Sequence, residues 1–534
     1  MSDTEPDMVL AARLKDLART GRKIVRLEGR QIALFLSGDW IFACNNRCPH
    51  EGYPLAEGSL SETSSGCTLT CNWHNWKFDL ASGKTLLGGD DLRVYPTELR
   101  GEEIWIDISD PPAEHGRAQA LHRLMAASHR FEYDRMAREL ARFIKLGGDP
   151  LDAIRHALEV ASPRFEFGMT HAHPAAAEWL RLRETHPVSA SGETELFVPL
   201  LEILAHLSWD TLRENEFPYP EGTASFDADQ LAAAIEEENE KRAISLVRTA
   251  LKTGADFKIL RPALARAALA HYADFGHSAI YVQKAGTLID RLGENAAPAI
   301  LYPLIRSLVL ATREDLIPEF RFYGDALMRW DRKGEECPSP EELRSASIRH
   351  ALDMTVKASA LPPQRLHAVL LEAAMWQFLH FDASRQEQTR NAVSDNVGWL
   401  DFTHMLTFAH AVRELCGAQP DLWPQGLLQM ACFIGRNAAY TDGAQDVSGW
   451  SVEDPAAFFE SELIGMLDHG QTEPIVSAHL LKTLMAARDE WLEDPDGAHV
   501  PLMLAAVNRF LHSPLKRRHA LRSAHQALDF VADE

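Results

Sequence analysis

The sequence predicts a multidomain protein: a small all-β unit at the N-terminal end and a large all-α unit behind it. Two observations carry this. Up to about residue 108 the chain reads as short β-branched or aromatic runs, each closed by Gly, Asn or Asp. Beyond residue 110 the apolar residues recur at three- and four-residue spacing, broken every 12 to 20 residues by Gly, Pro or Asp. A length of 534 residues corresponds to roughly three or four units of about 150.

Taken in order, residues 1–21 (MSDTEPDMVLAARLKDLARTG) read as a helical tail, with early acids and no apolar core of a secretory leader. Residues 22–108 hold the strands. IVRLEG, IALFLSG and WIFACNN are the first three, FDLASG and Gly88-Gly89-Asp90-Asp91 mark turns, and IWIDI is the last strand. Strands this short and closely spaced suit a small barrel or sandwich. Residues 109–116 (SDPPAEHG) read as a linker, and 117–534 as one large helical unit or two closely packed ones. No self-similar period supports a solenoid.

Composition narrows the function. Lys plus Arg is 54 against 77 Asp plus Glu, a formal charge of −23. Phosphate binding needs clustered cations, so nucleic acid is not an expected partner. No run of about 18 apolar residues predicts a membrane span. Seven cysteines in this length are too few for a disulfide scaffold and fit a reducing cytoplasm. Their chemistry is therefore expected to be metal or redox.

The strongest signal is Cys48-Pro-His50, twenty intervening residues, then Cys71-Asn-Trp-His74. Two thiolates and two imidazoles satisfy a [2Fe–2S] cluster with sulfur on one iron and nitrogen on the other. Cys₂His₂ is also a zinc set, but zinc fingers pair C-x-x-C with H-x₃₋₅-H instead of alternating Cys and His. These residues resemble the Rieske family, and the likeness extends to Trp73, Trp76, Phe78, Asp79 and Gly83. Asn75 stands where the family has Gly. The resemblance covers about residues 22–108 and implies a ferredoxin- or oxygenase-type cluster, without the disulfide of respiratory members. Cys44 and Cys67, four residues before each ligand Cys, read as small buried hydrophobes.

Rieske oxygenases follow this domain with a mononuclear iron site reading D-x-x-H-x₃₋₄-H. Asp274-Phe-Gly-His277 supplies the first half and lacks the second His. Three other segments, Thr170–Leu182, Gly276–Leu292 and Thr403–Leu415, resemble the His-bearing segments of questin oxidase-like proteins. Those are largely helical non-haem iron oxygenases of aromatic polyketides, whose metal is held by histidines with a carbamylated lysine proposed as a further ligand. The resemblance implies metal ligation by His171, His173, His277 and His404, with Lys357 as the lysine. Tyr281 replaces a second His of the family pattern and is assigned, with His277, to the catalytic pocket.

His171 and His173 are expected on an extended lead-in before Pro174, where i and i+2 point the same way. His277, Tyr281 and Lys284 share one helical stripe, while His404 and Thr407 share another from which His410 points away. Structural readings compete. With 23 histidines, some fall near helix starts by chance, and Lys357 lies four residues after Asp353, as in a solvated ion pair.

The function expected is a cytoplasmic oxidoreductase. A [2Fe–2S] cluster on Cys48, His50, Cys71 and His74 takes electrons from a reductase or ferredoxin. It passes them to a mononuclear non-haem Fe(II), where O₂ oxidises a small organic substrate, aromatic on the family's precedent. A homo-oligomer is compatible with this. The competing reading is an electron carrier whose helical region is a protein-interaction scaffold without a second metal.

Overall fold

The computed structural model describes residues 7–63, 66–110, 112–185, 193–515 and 518–532. The chain divides into two compact units, Met1–Ala127 with Ala137–Asp149, and Ser128–Met136 with Pro150–Glu534.

The first unit contains β1 (Met8–Arg13), α1 (Leu14–Ala18), β2 (Arg22–Leu27), β3 (Arg30–Ser37), β4 (Trp40–Asn45), β5 (Ser59–Thr63) and β6 (Gly66–Thr70). It continues with β7 (Lys77–Asp79), β8 (Thr85–Leu87), β9 (Val94–Tyr95), β10 (Thr97–Arg100) and β11 (Glu103–Asp107). Three antiparallel sheets result, in the orders β1-β11-β10, β2-β3-β4-β9 and β5-β6-β7-β8. The alternation of the runs places Ile32, Leu34, Ala43, Ile104 and Ile106 in one core. Ala33, Phe35, Cys44, Cys67, Leu69 and Phe78 form another, directly beneath the cysteine–histidine loops. Cys44 and Cys67 are buried free thiols in that core, as expected.

Two boundaries need correction. The expected helical tail over 1–21 is helical only in α1, whereas Met8–Arg13 pairs with β11 from Met8↔Asp107 to Arg13↔Glu103. The open edge of β11 offers a ladder that a short helix could not match. Residues 1–6 lie outside the described residues. The expected linker over 109–116 ends sooner, because α2 (Ala113–Ser128) starts within it and Gly116 N–H already bonds Pro112 C=O. α2 through Ala127, and the part of α3 (Tyr133–Lys145) from Ala137 on, cluster with the sheets instead of the helical unit.

The described residues of the second unit form helices joined by irregular segments, with one isolated bridge, Phe381↔Thr441, and no strand. Its helices are α4 (Pro150–Ala161), α5 (Ala172–Thr185), α6 (Glu193–Asp210), α7 (Ala228–Glu236), α8 (Glu240–Lys252), α9 (Phe257–Ala268), α10 (His277–Leu292), α11 (Ala297–Val309) and α12 (Phe322–Met328). There follow α13 (Pro340–Leu343), α14 (Ile348–Lys357), α15 (Pro363–Leu379), α16 (Trp399–Ala418), α17 (Trp423–Asn437), α18 (Pro455–Gly465), α19 (Pro474–Glu493), α20 (Val500–His512) and α21 (Ala520–Ala532). Among the described residues one stretch, Glu294–Leu316, is long and apolar enough to cross a membrane, and 61% of its apolar window is buried inside the protein.

Four of these helices form a closed group. α5 packs on α10, α10 on α16, α16 on α19 and α19 on α5, making a four-membered ring. Nearly every residue of α10, α16 and α19 that faces inward is buried. Their composition explains why. These helices carry Ala, Leu, Met and Phe around most of their circumference, the signature of core helices.

Candidate metal centres

In the first unit the two cluster loops repeat one backbone pattern. Cys48 N–H bonds Tyr53 C=O at 2.9 Å and Gly52 N–H bonds Cys48 C=O at 2.8 Å. Cys71 N–H bonds Trp76 C=O at 2.8 Å and Asn75 N–H bonds Cys71 C=O at 2.9 Å. Gly52 (φ 77°) and Asn75 (φ 61°) occupy matching left-handed positions. Asn is among the few L-residues that tolerate this region, so the departure at Asn75 leaves the turn intact.

The loops separate two kinds of donor. Cys48 and Cys71 are 3% and 1% exposed, with their thiols in contact. Burial, with Cys71 adding to it, pushes the Cys48 thiol up to about 12. His50 and His74 lie outside, Nδ1 to Nδ1 at 3.1 Å, and each Nε2 lies 3.9 Å from the Glu51 carboxylate. The two Nδ1 atoms are close enough that both imidazoles would hold one metal ion. Trp76 stacks on His50 at 4.7 Å and Trp73 on His74 at 5.0 Å, which fixes both ring planes. A sulfur-ligated inner position and a nitrogen-ligated outer one fit the mixed cluster.

In the helical ring the structure joins histidines that are far apart in sequence. His171 directly precedes α5, His277 opens α10, His404 is the sixth residue of α16 and His479 the sixth of α19. His171, His277 and His404 thus converge, and His479 adjoins His171 and His404. The donor nitrogens of His171, His277 and His404 lie within 4.8 Å of one another. His171 Nε2 is 3.2 Å from His277 Nε2, and His404 Nε2 is 3.3 Å from His479 Nε2.

The outer nitrogens show what the inner ones are. His404 Nδ1 donates to Leu400 C=O at 2.6 Å, and His479 Nδ1 donates to Ile475 C=O at 2.7 Å. Carbonyls only accept, so both Nδ1 atoms carry the proton. Burial holds His404 and His479 well below the usual imidazole range, hence neutral, and it does the same to His171. Two Nε2 lone pairs therefore face each other at 3.3 Å without a proton to share. A cation between them relieves that repulsion. His277 Nδ1 lies 3.1 Å from the Asp274 carboxylate, which places a carboxylate beside its outer nitrogen.

The turn before His277 is strained, with Asp274 (φ 46°), Phe275 (φ 54°) and Gly276 (φ 77°) all left-handed. It brings the Phe275 ring to 5.9 Å from His404. Tyr281 is buried, stacked 5.4 Å from His277, and forms part of the wall.

Two expected ligands fall elsewhere. His173 does not share the direction of His171, because the helix begins at Ala172 and a helical step turns the side chain away. His173 packs 4.8 Å from Phe165 instead, and Thr170 N–H points at its Nδ1. Lys357 is 61% exposed at the end of α14 and pairs with Glu336 at 3.3 Å. The buried lysine beside the site is Lys482, three residues after His479. It is 2% exposed, and its Nζ has no hydrogen-bond partner. Burial, and then the charge of Lys284, push its pKa down to about 7. His479 and Lys482 escape sequence reading because the only local signal is two ionisable residues in the largely apolar run VSAHLLKTLMAA.

Further along the same four helices lies a layer of charge. Glu178 pairs with Lys284 at 2.5 Å and with Arg181 at 2.9 Å, and Arg181 grips Asp489 at 2.6 Å. His410, which points away from the histidine site as expected, donates to Glu490 at 3.0 Å. A cavity of about 360 Å³ opens at this layer between Arg181, Lys284, His410, Arg413 and Asp489.

The Rieske [2Fe-2S] domain family model matches residues 7–93. A 3-phenylpropionate/cinnamic acid dioxygenase ferredoxin subunit of Shigella boydii is 36% identical over 15% of this chain and 74% of its own. The naphthalene 1,2-dioxygenase ferredoxin component of Pseudomonas aeruginosa is 29% identical over 16% of this chain and 80% of its own. The 4beta-methylsterol monooxygenase of Methylococcus capsulatus is 35% identical over 107 residues, 18% of this chain and only 28% of that enzyme. Among solved structures, the ferredoxin of carbazole 1,9a-dioxygenase from Nocardioides aromaticivorans is 24% identical over 19% of this chain and 98% of its own, with a TM-score of 0.18. Geometry and relatives define an iron–sulfur electron-transfer module. Through its N-terminal domain the chain belongs to the Rieske [2Fe-2S] domain family.

Proposed function

We propose that the chain is an oxidoreductase in which the Rieske cluster supplies electrons to an iron held by His171, His277, His404 and His479. The observation that supports this most is the facing pair of unprotonated Nε2 atoms on His404 and His479. A buried, all-imidazole pocket suits Fe(II). When bound, such an iron supplies O₂ activation. Placing one oxygen atom of O₂ in a substrate C–H bond consumes two electrons and two protons and releases water. The electrons come from a reductase or ferredoxin through Cys48, His50, Cys71 and His74. The protein's own part is positional: Asp274, Leu400 C=O and Ile475 C=O fix the imidazoles, while Tyr281 and Phe275 wall the site. The substrate is a small organic molecule.

The ferredoxin relatives favour a second reading, an electron carrier whose helical unit holds no metal. Iron analysis of anaerobically purified protein separates the two. The oxygenase reading expects about three irons per chain, falling by one in His404→Ala and His479→Ala with the visible cluster spectrum unchanged. Lys357→Met leaves the count alone. A count of two in the wild type, with no O₂ uptake on reduction, removes the oxygenase reading.

A further inference from the structure

We infer that α21 is a dimerisation helix: its apolar face docks antiparallel on the same face of α21 in a second copy of this chain. The inference is independent of any metal in the helical unit.

The helix is mounted inside out. With 100° between successive residues, Arg522, His525, Gln526 and Asp529 share one half of its circumference. The first three of these tie it to the segment before α16. Arg522 is 6% exposed and donates to the carbonyls of Gln388 at 2.8 Å and of Arg385 and Gln386 at 3.0 Å. His525 Nδ1 donates to Thr389 C=O at 2.7 Å, and Gln526 Nε2 donates to Asn391 C=O at 2.8 Å.

The other half is apolar and points outward. Leu521, Ala524, Leu528 and Val531 follow at steps of three, four and three residues, flanked by Ala520, Ala527 and Phe530. All seven are exposed, with Leu528 at 70% and Phe530 at 69%. Helices on a protein surface normally bury this face, and a contiguous exposed one marks an interaction site. At these exposures Leu521, Leu528, Phe530 and Val531 offer roughly 500 Å² per copy, or about 1,000 Å² for a pair, where specific interfaces begin.

The face is complementary to itself in one orientation. About a two-fold axis level with Gln526, Ala524 meets Leu528 of the partner subunit, and Leu521 meets Val531 of the partner subunit. A small side chain thus faces a larger one in each layer. Charge selects the same direction. Lys516, Arg517 and Arg518 precede the helix, whereas Asp529, Asp533 and Glu534 lie in and after its last turn. Antiparallel pairing sets each basic end beside an acidic one, and parallel pairing sets like beside like. A lipid surface suits the helix less well. Interfacial helices line their polar face with Lys and Arg, but here that face is spent on protein carbonyls and the chain carries a formal charge of −23.

The test uses the full chain as purified, in sedimentation velocity between about 1 and 100 µM. The wild type is expected to pass from monomer to dimer across this range. Leu528→Asp is expected to weaken the dimer about tenfold or more and to unfold at the wild-type temperature, because that side chain is already exposed. Cys337 is an exposed free thiol, so cross-linking is done in a Cys337→Ser background. Mixed Ala524→Cys and Leu528→Cys chains are expected to form the mixed disulfide ahead of either self-disulfide. A monomer at every concentration overturns the inference, and so does a dimer indifferent to Leu528→Asp. Self-disulfides ahead of the mixed one overturn it as well, since they report parallel pairing. Pelleting of the wild type with phosphatidylcholine–phosphatidylglycerol vesicles, lost in Leu528→Asp, makes a membrane the occupant and also overturns it.

Discussion

Gly276→Ala tests how the strained turn holds His277. A Cβ at this position would lie 2.3 Å from Phe408 Cδ2 and 2.6 Å from Phe408 Cγ. Carbon atoms rest at about 3.5–4.0 Å, so the ring would have to retreat by about 1.2 Å or more. Phe408 is fully buried against Phe433 and has nowhere to go. Overpacking of this kind costs about 1–3 kcal/mol, and an alanine at φ 77° adds about 1–2 kcal/mol. The total is about 2–5 kcal/mol, taken up partly by unfolding and partly by displacement of the turn. Because His277 follows immediately, displacement misplaces its imidazole and removes Asp274 from Nδ1. Loss of such an orienting contact typically weakens metal affinity about 10–100-fold. The assay is thermal unfolding followed at a helical signal, with iron counted on the same samples. The double variant Gly276→Ala/Phe408→Ala relieves the clash and is expected to recover iron binding relative to the single variant. If Gly276→Ala unfolds with the wild type and keeps its full iron complement, the account of the turn is wrong.

Two further outcomes are expected in other parts of the molecule. Asn75→Gly keeps the left-handed turn and is expected to leave the visible cluster spectrum and thermal stability of the first unit unchanged, whereas Asn75→Val costs about 1–2 kcal/mol and lowers cluster content. Glu490 is fully buried and takes hydrogen bonds from His410 and Arg413, which hold its carboxyl well below the usual range against the opposing effect of burial. A depressed folded-state value contributes stability above the unfolded value of about 4.3, and that contribution is lost as pH falls through the folded value. Urea titrations between about pH 7 and pH 3 should show this loss. Glu490→Gln should flatten that acid dependence and cost about 3–5 kcal/mol at neutral pH by stranding Arg413.

What the sequence determined by itself was local. The cluster loops, Cys48–Tyr53 and Cys71–Trp76, span six residues each closed by matched backbone hydrogen bonds, so the Cys and His positions were legible from spacing alone. The division into a β unit and an α unit was legible too, because strand and helix periods are properties of ten or so neighbouring residues. Single-residue positions came from the same logic where a helical stripe was long, as for His277, Tyr281, His404 and the outward His410. Tertiary structure decided the rest. Met8–Arg13 became a strand because β11 had a free edge. His173 left the expected ligand set because α5 started two residues earlier than the proline suggested. Lys357 ended in solvent at the end of α14 and Lys482 in the core on α19, although one lysine looks like another in sequence. His479 joined His171 across about 300 residues of chain only because α5, α10, α16 and α19 close into a ring. No pattern in one segment encodes which other helix its polar side chain will face. That choice is made by the packing of apolar surfaces, and the imidazoles are carried to one another by it.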